Sequence, residues 1–397
     1  MGLAAFGGSP PGRVASPLLP FAVRFLCLSL FLLLALGLAA CTPDTFLLAQ
    51  PPALPTLAAA ANPPPRPTVA IPPTRDLSTA TPAVLPANAP ASTPTATPLP
   101  SPTAGPYAGL TIADLAARSY GGGQLEIVQT LGTMAAFTRY LVRYPSDGLT
   151  IYGFMNVPRG DGPFPVVVAL HGYVDPAGYD TLDYTTSHAD SLASNGYLVL
   201  HPNYRGYPPS EDGPNPFRIG FAIDVLNLVA LVQQQGGQPG ALAAARPGDI
   251  HLWGHSMGGG IALRVITVNP SIRSAVLYGA MSGDEYQNFE RILAWSEGET
   301  GREELATPAD TMLAIAPIHH LARIQAAISI HHGSADGIVP PAWSADLCDR
   351  LRLLGKSVEC YAYPDQPHNF SGDGDALFRR RTLAFFNLQQ SGGAAGP

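Results

Sequence analysis

The chain has 397 residues, of which 46% are hydrophobic and 13% charged, and its formal net charge is −7. The apolar content is sufficient for a sizeable core, and the length allows one large domain or two small ones. An acidic chain without a basic patch argues against nucleic acid as a partner.

The first 41 residues have the pattern of a secretion signal. Arg13 and Arg24 precede an apolar run, FLCLSLFLLLALGLAAC, that ends at Cys41. A basic flank, a short apolar core and small residues at its end predict export. The terminal Leu-Ala-Ala-Cys resembles the bacterial lipobox, in which the cysteine is acylated and becomes the new N-terminus. We therefore expect a bacterial lipoprotein, attached to a membrane through Cys41 at the cell surface or in the periplasm. An uncleaved membrane anchor is the alternative.

Residues 42–106 are rich in Pro, Thr, Ala and Ser, as in ASTPTATPLPSPTAGP. Such a segment has few groups to bury and cannot offset the entropy lost on ordering. Its proline density favours stiff, extended conformers, so we expect a disordered stalk. The composition becomes globular from about residue 107, which predicts one folded domain over 107–397.

Within that domain, apolar runs alternate with helical patterns. Two alternating runs, 137–145 and 148–158, flank a turn-like Ser-Asp-Gly and predict an antiparallel hairpin. The continuous apolar run FPVVVALHG at 164–172 is typical of a strand that is covered on both faces. Further strands are predicted at 197–203, 249–254, 272–280, 326–334 and 357–364, and helices at 187–196, 220–235, 340–355 and 376–390. This order predicts a mostly parallel eight-stranded sheet with helices on both faces and the hairpin at one edge.

One serine lies in a glycine-rich turn between a predicted strand and a predicted helix. Gly254-His255-Ser256-Met257-Gly258 fits the pattern G-x-S-x-G, which requires this strand–turn–helix context. Small residues on either side let neighbouring backbone come close, and the sharp turn lifts the serine hydroxyl out of the sheet end. A glycine-rich turn without function is the alternative. The context favours Ser256 as a nucleophile.

A nucleophilic serine needs a base, and the base needs a carboxylate to orient it. In sheets of this kind the chain order is serine, acid, histidine. Asp336 directly follows the strand at 326–332 and is the expected acid, with Asp284 and Asp365 as alternatives. His368 is the expected base because no other histidine lies downstream of residue 332.

An oxyanion needs two backbone donors near the nucleophile. The N–H of Met257 is one, since it opens the helix after Ser256. The strand ending in His171-Gly172-Tyr173 places a glycine where backbone must approach the serine, and the N–H of Tyr173 is the expected second donor. An ordinary strand-ending turn is the alternative.

The sequence does not indicate a metal or another cofactor. The histidine pairs 319–320 and 331–332 are adjacent residues, and adjacent strand residues point to opposite faces. Neither H-E-x-x-H nor C-x-x-C occurs. We therefore expect neither a metal nor a cofactor.

Four cysteines are present. Cys27 would leave with the signal, and Cys41 would carry the lipid. Cys348, in a predicted helix, and Cys360, in the strand after it, remain as a possible disulfide in an exported protein. Two buried free thiols are the alternative.

Several of these segments together resemble the prolyl oligopeptidase-like (family S9) serine peptidases of the α/β-hydrolase fold. The likeness runs from about residue 137 to 390, and its segments are YPSDGLTIYGFMNVP, FPVVVALHGY, NYRGYPPSE, GHSMGGGIALR, HHGSADGIVP and GKSVECYAYPDQPHNF. The resemblance implies that Ser256, Asp336 and His368 form a catalytic triad that cleaves peptide substrates, and that 107–397 is the catalytic domain.

One departure from that family leaves the substrate open. Full-size members carry a β-propeller, and the roughly 30 residues between the stalk and the first strand at 137 are too few for one. The same core also looks like esterases of the dienelactone-hydrolase and acetyl-xylan types. A carboxylesterase is therefore the alternative, and a non-catalytic surface-binding lipoprotein is the third possibility. The segment from about 281 to 321 lies between two strands and is expected to form a small helical cap.

Overall fold

The computed structural model describes residues 105–390. The predicted secretion signal, the lipidation site at Cys41 and nearly all of the predicted stalk lie outside the described residues, as do residues 391–397. These features stay predictions.

The described residues form one nine-stranded sheet. Its strands are β1 (Glu126–Thr133), β2 (Phe137–Ser146), β3 (Leu149–Pro158), β4 (Phe164–Leu170), β5 (Leu198–Pro202), β6 (Ala245–His255), β7 (Ser274–Tyr278), β8 (Ala327–Gly333) and β9 (Val358–Tyr363). Their order across the sheet is β1-β2-β3-β5-β4-β6-β7-β8-β9. The strands from β5 to β9 in this order are parallel to one another, whereas β1, β2, β3 and β5 pair in antiparallel fashion.

The predicted mostly parallel sheet is confirmed, but the predicted count of eight strands is wrong. The ninth strand is β1, and β1 rather than the β2–β3 hairpin forms the sheet edge. Seven of its eight residues are exposed, and its apolar side chains Ile127, Val128 and Leu131 face solvent. A strand that buries neither face lacks the alternation that identifies half-buried strands in a sequence.

Helices cover both faces of the sheet, as expected. They are α1 (Ile112–Ala117), α2 (Thr186–Ser194), α3 (Ile219–Gln235), α4 (Met257–Val268), α5 (Glu285–Trp295), α6 (Arg302–Leu305), α7 (Ala309–Ile315), α8 (Pro341–Leu353) and α9 (Gly372–Gln389). Helices α1, α3, α4 and α8 contribute to the larger apolar core on one face, and α2 and α9 to the smaller core on the other. Among the described residues, the helical stretch Pro216–Gln235, which includes α3, is long and apolar enough to cross a membrane, and most of it is buried inside the protein.

The strand β4 shows why the central sheet has two cores. Val166 and Val168 pack into the larger core, whereas Val167 and Ala169 pack into the smaller one. Successive side chains of a strand point to opposite faces, so a strand covered on both sides is apolar throughout. The loops after parallel strands then meet at one edge of the sheet, which is where α/β proteins bind ligands.

Candidate active site

Ser256 lies at the turn between β6 and α4 in a strained backbone conformation. Its φ is 56° and its ψ is −120°, a region that non-glycine residues seldom occupy. The flanking glycines permit the turn: a Cβ atom at Gly254 would lie 2.4 Å from the carbonyl oxygen of Gly258, and one at Gly258 would lie 2.2 Å from that of Leu170. A side chain at Gly254 would force β6 and α4 apart, and one at Gly258 would force α4 away from the end of β4. The turn therefore depends on both glycines.

The loops after β8 and β9 bring Asp336 and His368 together. Nδ1 of His368 lies 2.7 Å from Oδ2 of Asp336. The carboxylate accepts this hydrogen bond, so Nδ1 carries the proton and Nε2 of the neutral ring is left as the acceptor. This is the tautomer that a general base requires.

A second histidine supports the same carboxylate. Nε2 of His332 lies 3.0 Å from Oδ2 of Asp336 and 3.1 Å from the carbonyl oxygen of Val339. Both partners only accept, so Nε2 of His332 carries a proton. Nδ1 of His332 then accepts from the hydroxyl of Ser344, 2.6 Å away in α8. The sequence offered no sign of this role beyond the position of His332 four residues before Asp336.

Four donors converge on Asp336. Its Oδ1 accepts from the N–H groups of Ile338 and Val339, at 2.8 and 2.9 Å, and its Oδ2 faces the two histidines. Burial alone raises the pKa of Asp336, but the hydrogen bonds from His332 and His368 outweigh this and hold the pKa well below its usual range. The carboxylate is therefore ionised at neutral pH and available to orient His368.

Ser256 and His368 both line one large cavity of about 1340 Å³. Within residues 105–390, no hydrogen bond joins the Ser256 hydroxyl to His368. Catalytic hydrogen bonds of this kind commonly form only when substrate is bound. The structure thus places Ser256 and His368 at one cavity and links His368 directly to Asp336 behind it.

The two predicted oxyanion donors also face this cavity. Met257 is the first residue of α4, and Tyr173 follows β4; both line the cavity wall. Neither N–H bonds to another group in the described part of the chain. Gly172 explains the close approach of the Tyr173 backbone, since a Cβ atom there would lie 3.0 Å from Cβ of Ser256.

A hydrogen-bonded chain connects the Tyr173 loop to the His368 loop. The N–H of Gly172 donates to the hydroxyl of Tyr184 at 2.6 Å, and that hydroxyl lies 3.2 Å from Nδ1 of His255. Nε2 of His255 lies 3.1 Å from the carbonyl oxygen of His368 and must donate to it, so Nδ1 accepts from Tyr184. The pKa of His255 is held well below its usual range, mainly by burial and secondly by the neighbouring ring of His368. The imidazole of His255 therefore stays neutral, as this hydrogen-bonded chain requires.

We expect Tyr184→Phe to lower kcat about five- to tenfold with little change in KM, because losing one positioning hydrogen bond costs about 1 kcal/mol. The phenyl ring keeps the packing but leaves Gly172 without an acceptor and His255 without a donor. Steady-state kinetics on an activated ester measure both constants. A change in KM alone would show that Tyr184 contacts substrate and does not position the two loops.

The alternative acids have structural roles. Asp284 caps α5, where its Oδ1 accepts from the N–H of Tyr286 at 2.9 Å. Asp365 occupies a turn with φ of 56°, and its N–H donates to Ser334 at 2.9 Å. Neither side chain is hydrogen-bonded to His368.

The paired histidines separate as strand alternation requires. His331 bonds to Ser329 and Tyr363, whereas His332 bonds to Ser344 at the start of α8. Among residues 105–390, no three His, Cys, Asp or Glu side chains are grouped to hold a metal ion.

Cys348 in α8 and Cys360 in β9 form a disulfide, with their Cα atoms 6.4 Å apart. The bond joins two elements on which the site depends. Helix α8 carries Ser344, the partner of His332, and β9 leads into the loop that carries His368.

The segment between β7 and β8 forms the small cap, made of α5, α6 and α7. From this cap, Phe289 and Trp295 line the cavity. The exposed apolar side chains that line the cavity include those of Tyr173, Tyr184, Trp295 and Ile338. The cavity thus offers apolar walls beside the Ser256 hydroxyl, as ligand sites commonly do.

Comparison with known proteins gives the class of the fold. Residues 165–346 match the model of a family described as alpha/beta hydrolase fold. With its mostly parallel sheet, its flanking helices and its serine turn after β6, the chain has the α/β-hydrolase fold.

The similar proteins include peptidases and an esterase. The chain is 26% identical over 237 residues to the uncharacterized peptidase YtmA of Bacillus subtilis (strain 168). This match covers 58% of this chain and 86% of YtmA. Acetyl xylan esterase 1 from Thermoanaerobacterium sp. superposes with a TM-score of 0.51 at 16% identity, over 66% of this chain and 88% of the esterase. The acylaminoacyl peptidase of Pyrococcus horikoshii superposes with a TM-score of 0.52 at 19% identity, over 66% of this chain and 44% of the peptidase. The described domain therefore matches less than half of that peptidase.

Proposed function

We propose that this protein is a serine hydrolase that cleaves an acyl bond, in a peptide or an ester, through Ser256, His368 and Asp336. The observation that carries the proposal is the 2.7 Å contact between His368 and Asp336, on loops that meet beside a strained serine in one cavity. A strained backbone at a serine turn commonly marks a functional site.

The proposed reaction follows from this geometry. The Ser256 hydroxyl attacks the acyl carbonyl as Nε2 of His368 takes its proton, and Asp336 stabilises the imidazolium that forms. The N–H groups of Met257 and Tyr173 bind the oxyanion. His368 returns the proton to the leaving amine or alcohol, which leaves an acyl group on Ser256. Water, deprotonated by His368, then releases the acid and restores the serine.

An S9-type peptidase is our first candidate, on the strength of the sequence resemblance and the relatives named as peptidases. A carboxylesterase is the second, favoured by the structural likeness to an acetyl xylan esterase over 88% of that chain. A panel of p-nitrophenyl esters and aminoacyl-p-nitroanilides separates the two by their kcat/KM values. Turnover of neither series, together with no labelling by a fluorophosphonate probe, would favour the non-catalytic alternative.

We further propose that the domain works outside the cytoplasm, held by lipid at Cys41. The basic and apolar pattern of the first 41 residues supports export, and so does a disulfide, because such bonds persist in oxidising compartments.

The disulfide should be present in the protein isolated from its native cells. Closing a loop of this length stabilises a domain by about 2 to 3 kcal/mol, so Cys348→Ser combined with Cys360→Ser should lower the free energy of unfolding by that amount. Urea unfolding with and without dithiothreitol measures the difference, and the double variant should not respond to the reductant. Two thiols that alkylate in the unreduced, denatured protein would contradict this prediction and the support it lends to export.

A further inference from the structure

Two arginines share one buried glutamate beside the cavity. Glu285, the first residue of α5, accepts from Nη2 of Arg218 on its Oε2 and from Nη2 of Arg264 on its Oε1. The side chains of Glu285 and Arg264 are 5% and 3% exposed, and that of Arg218 is 15% exposed. No other carboxylate of the described residues pairs with either guanidinium. This cluster of Arg218, Glu285 and Arg264 therefore carries a net charge of about +1.

Two other arginines that line the cavity are each paired with one carboxylate. Arg205 pairs with Asp224, and Arg379 pairs with Asp375. A buried charge without a counter-charge is costly, because burial removes the water that would solvate it. Arg246 and Arg273 also share one carboxylate, that of Asp249, but their side chains are 35% and 41% exposed to water. The excess positive charge of the cluster is buried, and it therefore favours the binding of a compensating anion.

Arg218 is the member of the cluster that faces the cavity. Of its side-chain donors, only Nη2 is hydrogen-bonded to a described residue, and the enclosed Nη1 has no partner. The guanidinium lies over the ring of Phe289, 4.9 Å from its centroid, and this contact helps to hold it in place. An enclosed donor without a partner costs free energy, and an acceptor that a ligand supplied from the adjoining cavity would remove that cost.

The backbone at Arg218 is strained as well. Phe217 and Arg218 have φ values of 51° and 58°, and two successive non-glycine residues in the left-handed region are uncommon. Strain of this kind persists where the surroundings hold a residue in place, and it concentrates at ligand-binding sites. It positions Arg218 just before α3, with its side chain between Glu285 and Phe289.

Arg218 and the nucleophile line one cavity. The N–H of Met281 donates to the carbonyl oxygen of Ser256 at 3.0 Å, and Glu285 follows four residues later. Ser256, Met281 and Arg218 all line the same space. A substrate whose carbonyl lies at Ser256 can therefore extend towards Arg218.

We infer that Arg218 binds a carboxylate of the substrate, so that this protein prefers acyl substrates with an anionic group distant from the bond that is cleaved. The inference rests on the proposed hydrolase function. A guanidinium presents parallel donors that match the two oxygens of a carboxylate, and the bound anion neutralises the cluster. Three carboxylates line the cavity, those of Asp212, Glu304 and Asp375, and only that of Asp375 is paired with an arginine. The other two repel an anion placed near them, so the preference should depend on where the substrate carries its charge.

The test uses matched substrates that differ in one carboxylate. On the acyl side, mono-p-nitrophenyl adipate, pimelate and suberate are compared with the p-nitrophenyl esters of hexanoate, heptanoate and octanoate. On the leaving-group side, 4-acetoxybenzoate is compared with its methyl ester. In at least one pair, we expect the charged substrate to have a higher kcat/KM than its neutral partner. Arg218→Gln should lower this ratio of charged to neutral kcat/KM about 10- to 100-fold.

Three variants sharpen the result. Arg218→Gln should fold, because it leaves Glu285 and Arg264 as a balanced pair, and its thermal melt checks this. Arg218→Lys should retain part of the preference, since it keeps the charge and loses the fork. Arg302→Gln removes an exposed charge from the cap and should leave unchanged the preference for the charged ester over the neutral one. Equal ratios in the wild type and Arg218→Gln would overturn the inference.

Binding separates this inference from the proposed function. Calorimetric titration of Ser256→Ala with the charged and neutral esters measures affinity without turnover. If the wild type hydrolyses neither the esters nor the p-nitroanilides and resists the fluorophosphonate probe, the proposed function fails. The carboxylate site would still be supported if Ser256→Ala bound the charged ester more tightly than the neutral one and Ser256→Ala combined with Arg218→Gln did not. Equal binding of both esters would reject that site whatever the turnover.

Discussion

Ser256→Ala is expected to reduce kcat by on the order of 10⁴ to 10⁶, because the covalent step disappears while the cavity and the oxyanion donors remain. The hydroxyl forms no hydrogen bond in the described structure, and alanine removes one oxygen from a turn that Gly254 and Gly258 shape. The fold should therefore persist. Initial rates on the best p-nitrophenyl ester, together with circular dichroism and a thermal melt, measure the loss of activity and the retained structure.

Two controls give this result its meaning. Ser357→Ala, at an exposed serine between α8 and β9, should leave kcat unchanged. A fluorophosphonate probe should label the wild type at Ser256 and leave Ser256→Ala unlabelled. A folded wild type that resists the probe at neutral pH would refute a nucleophilic Ser256, and the serine would then be a turn residue only.

Asp336→Asn is expected to reduce kcat by on the order of 10³ to 10⁴, since an amide cannot satisfy the donors around it. With its nitrogen towards His332 and His368, the amide faces two N–H groups. With its oxygen there, the nitrogen faces the N–H groups of Ile338 and Val339. In the first orientation His368 is driven to the wrong tautomer, so Nε2 can no longer accept the proton of Ser256.

Asp284→Asn is the matched control for this change. Asp284 caps α5 through one oxygen, and asparagine caps helices about as well as aspartate. Its kcat should stay within about twofold of the wild type. If Asp284→Asn lost activity and Asp336→Asn kept it, the acid would be assigned to the wrong loop.

The pH dependence of stability provides an independent readout for Asp336. Its pKa is lower in the folded protein than the unfolded value of about 4. The ionised carboxylate therefore stabilises the fold at pH above about 4, and this contribution is lost as the pH falls further. Asp336→Asn lacks it, so the difference in the free energy of unfolding between wild type and variant should shrink as the pH falls below about 4. A difference that is constant from pH 7 to pH 3 would contradict the low pKa.

The sequence by itself was sufficient for the fold class and the candidate triad. The run of Val166 to Leu170 is apolar at every position because both faces of a central strand are buried, and that signal is local. Ser256 is identified by glycines two residues away on each side, and His368 by the lack of any other histidine downstream of 332. Each inference needs only neighbouring residues or the order of segments along the chain.

Only the tertiary structure revealed the features that depend on distant contacts. Strand β1 is exposed and carries no periodic signal, so pairing with β2 alone defines it. The hydroxyl of Tyr184 meets His255 across 71 residues, and Glu285 meets Arg218 across 67. Such contacts leave no pattern in a sequence. The fold of the intervening chain determines which side chains meet, and neither residue of the pair restricts which residue types lie next to it in the sequence. The candidate triad was thus predictable, whereas packing decided the hydrogen-bond network around it and the charged cluster beside the cavity.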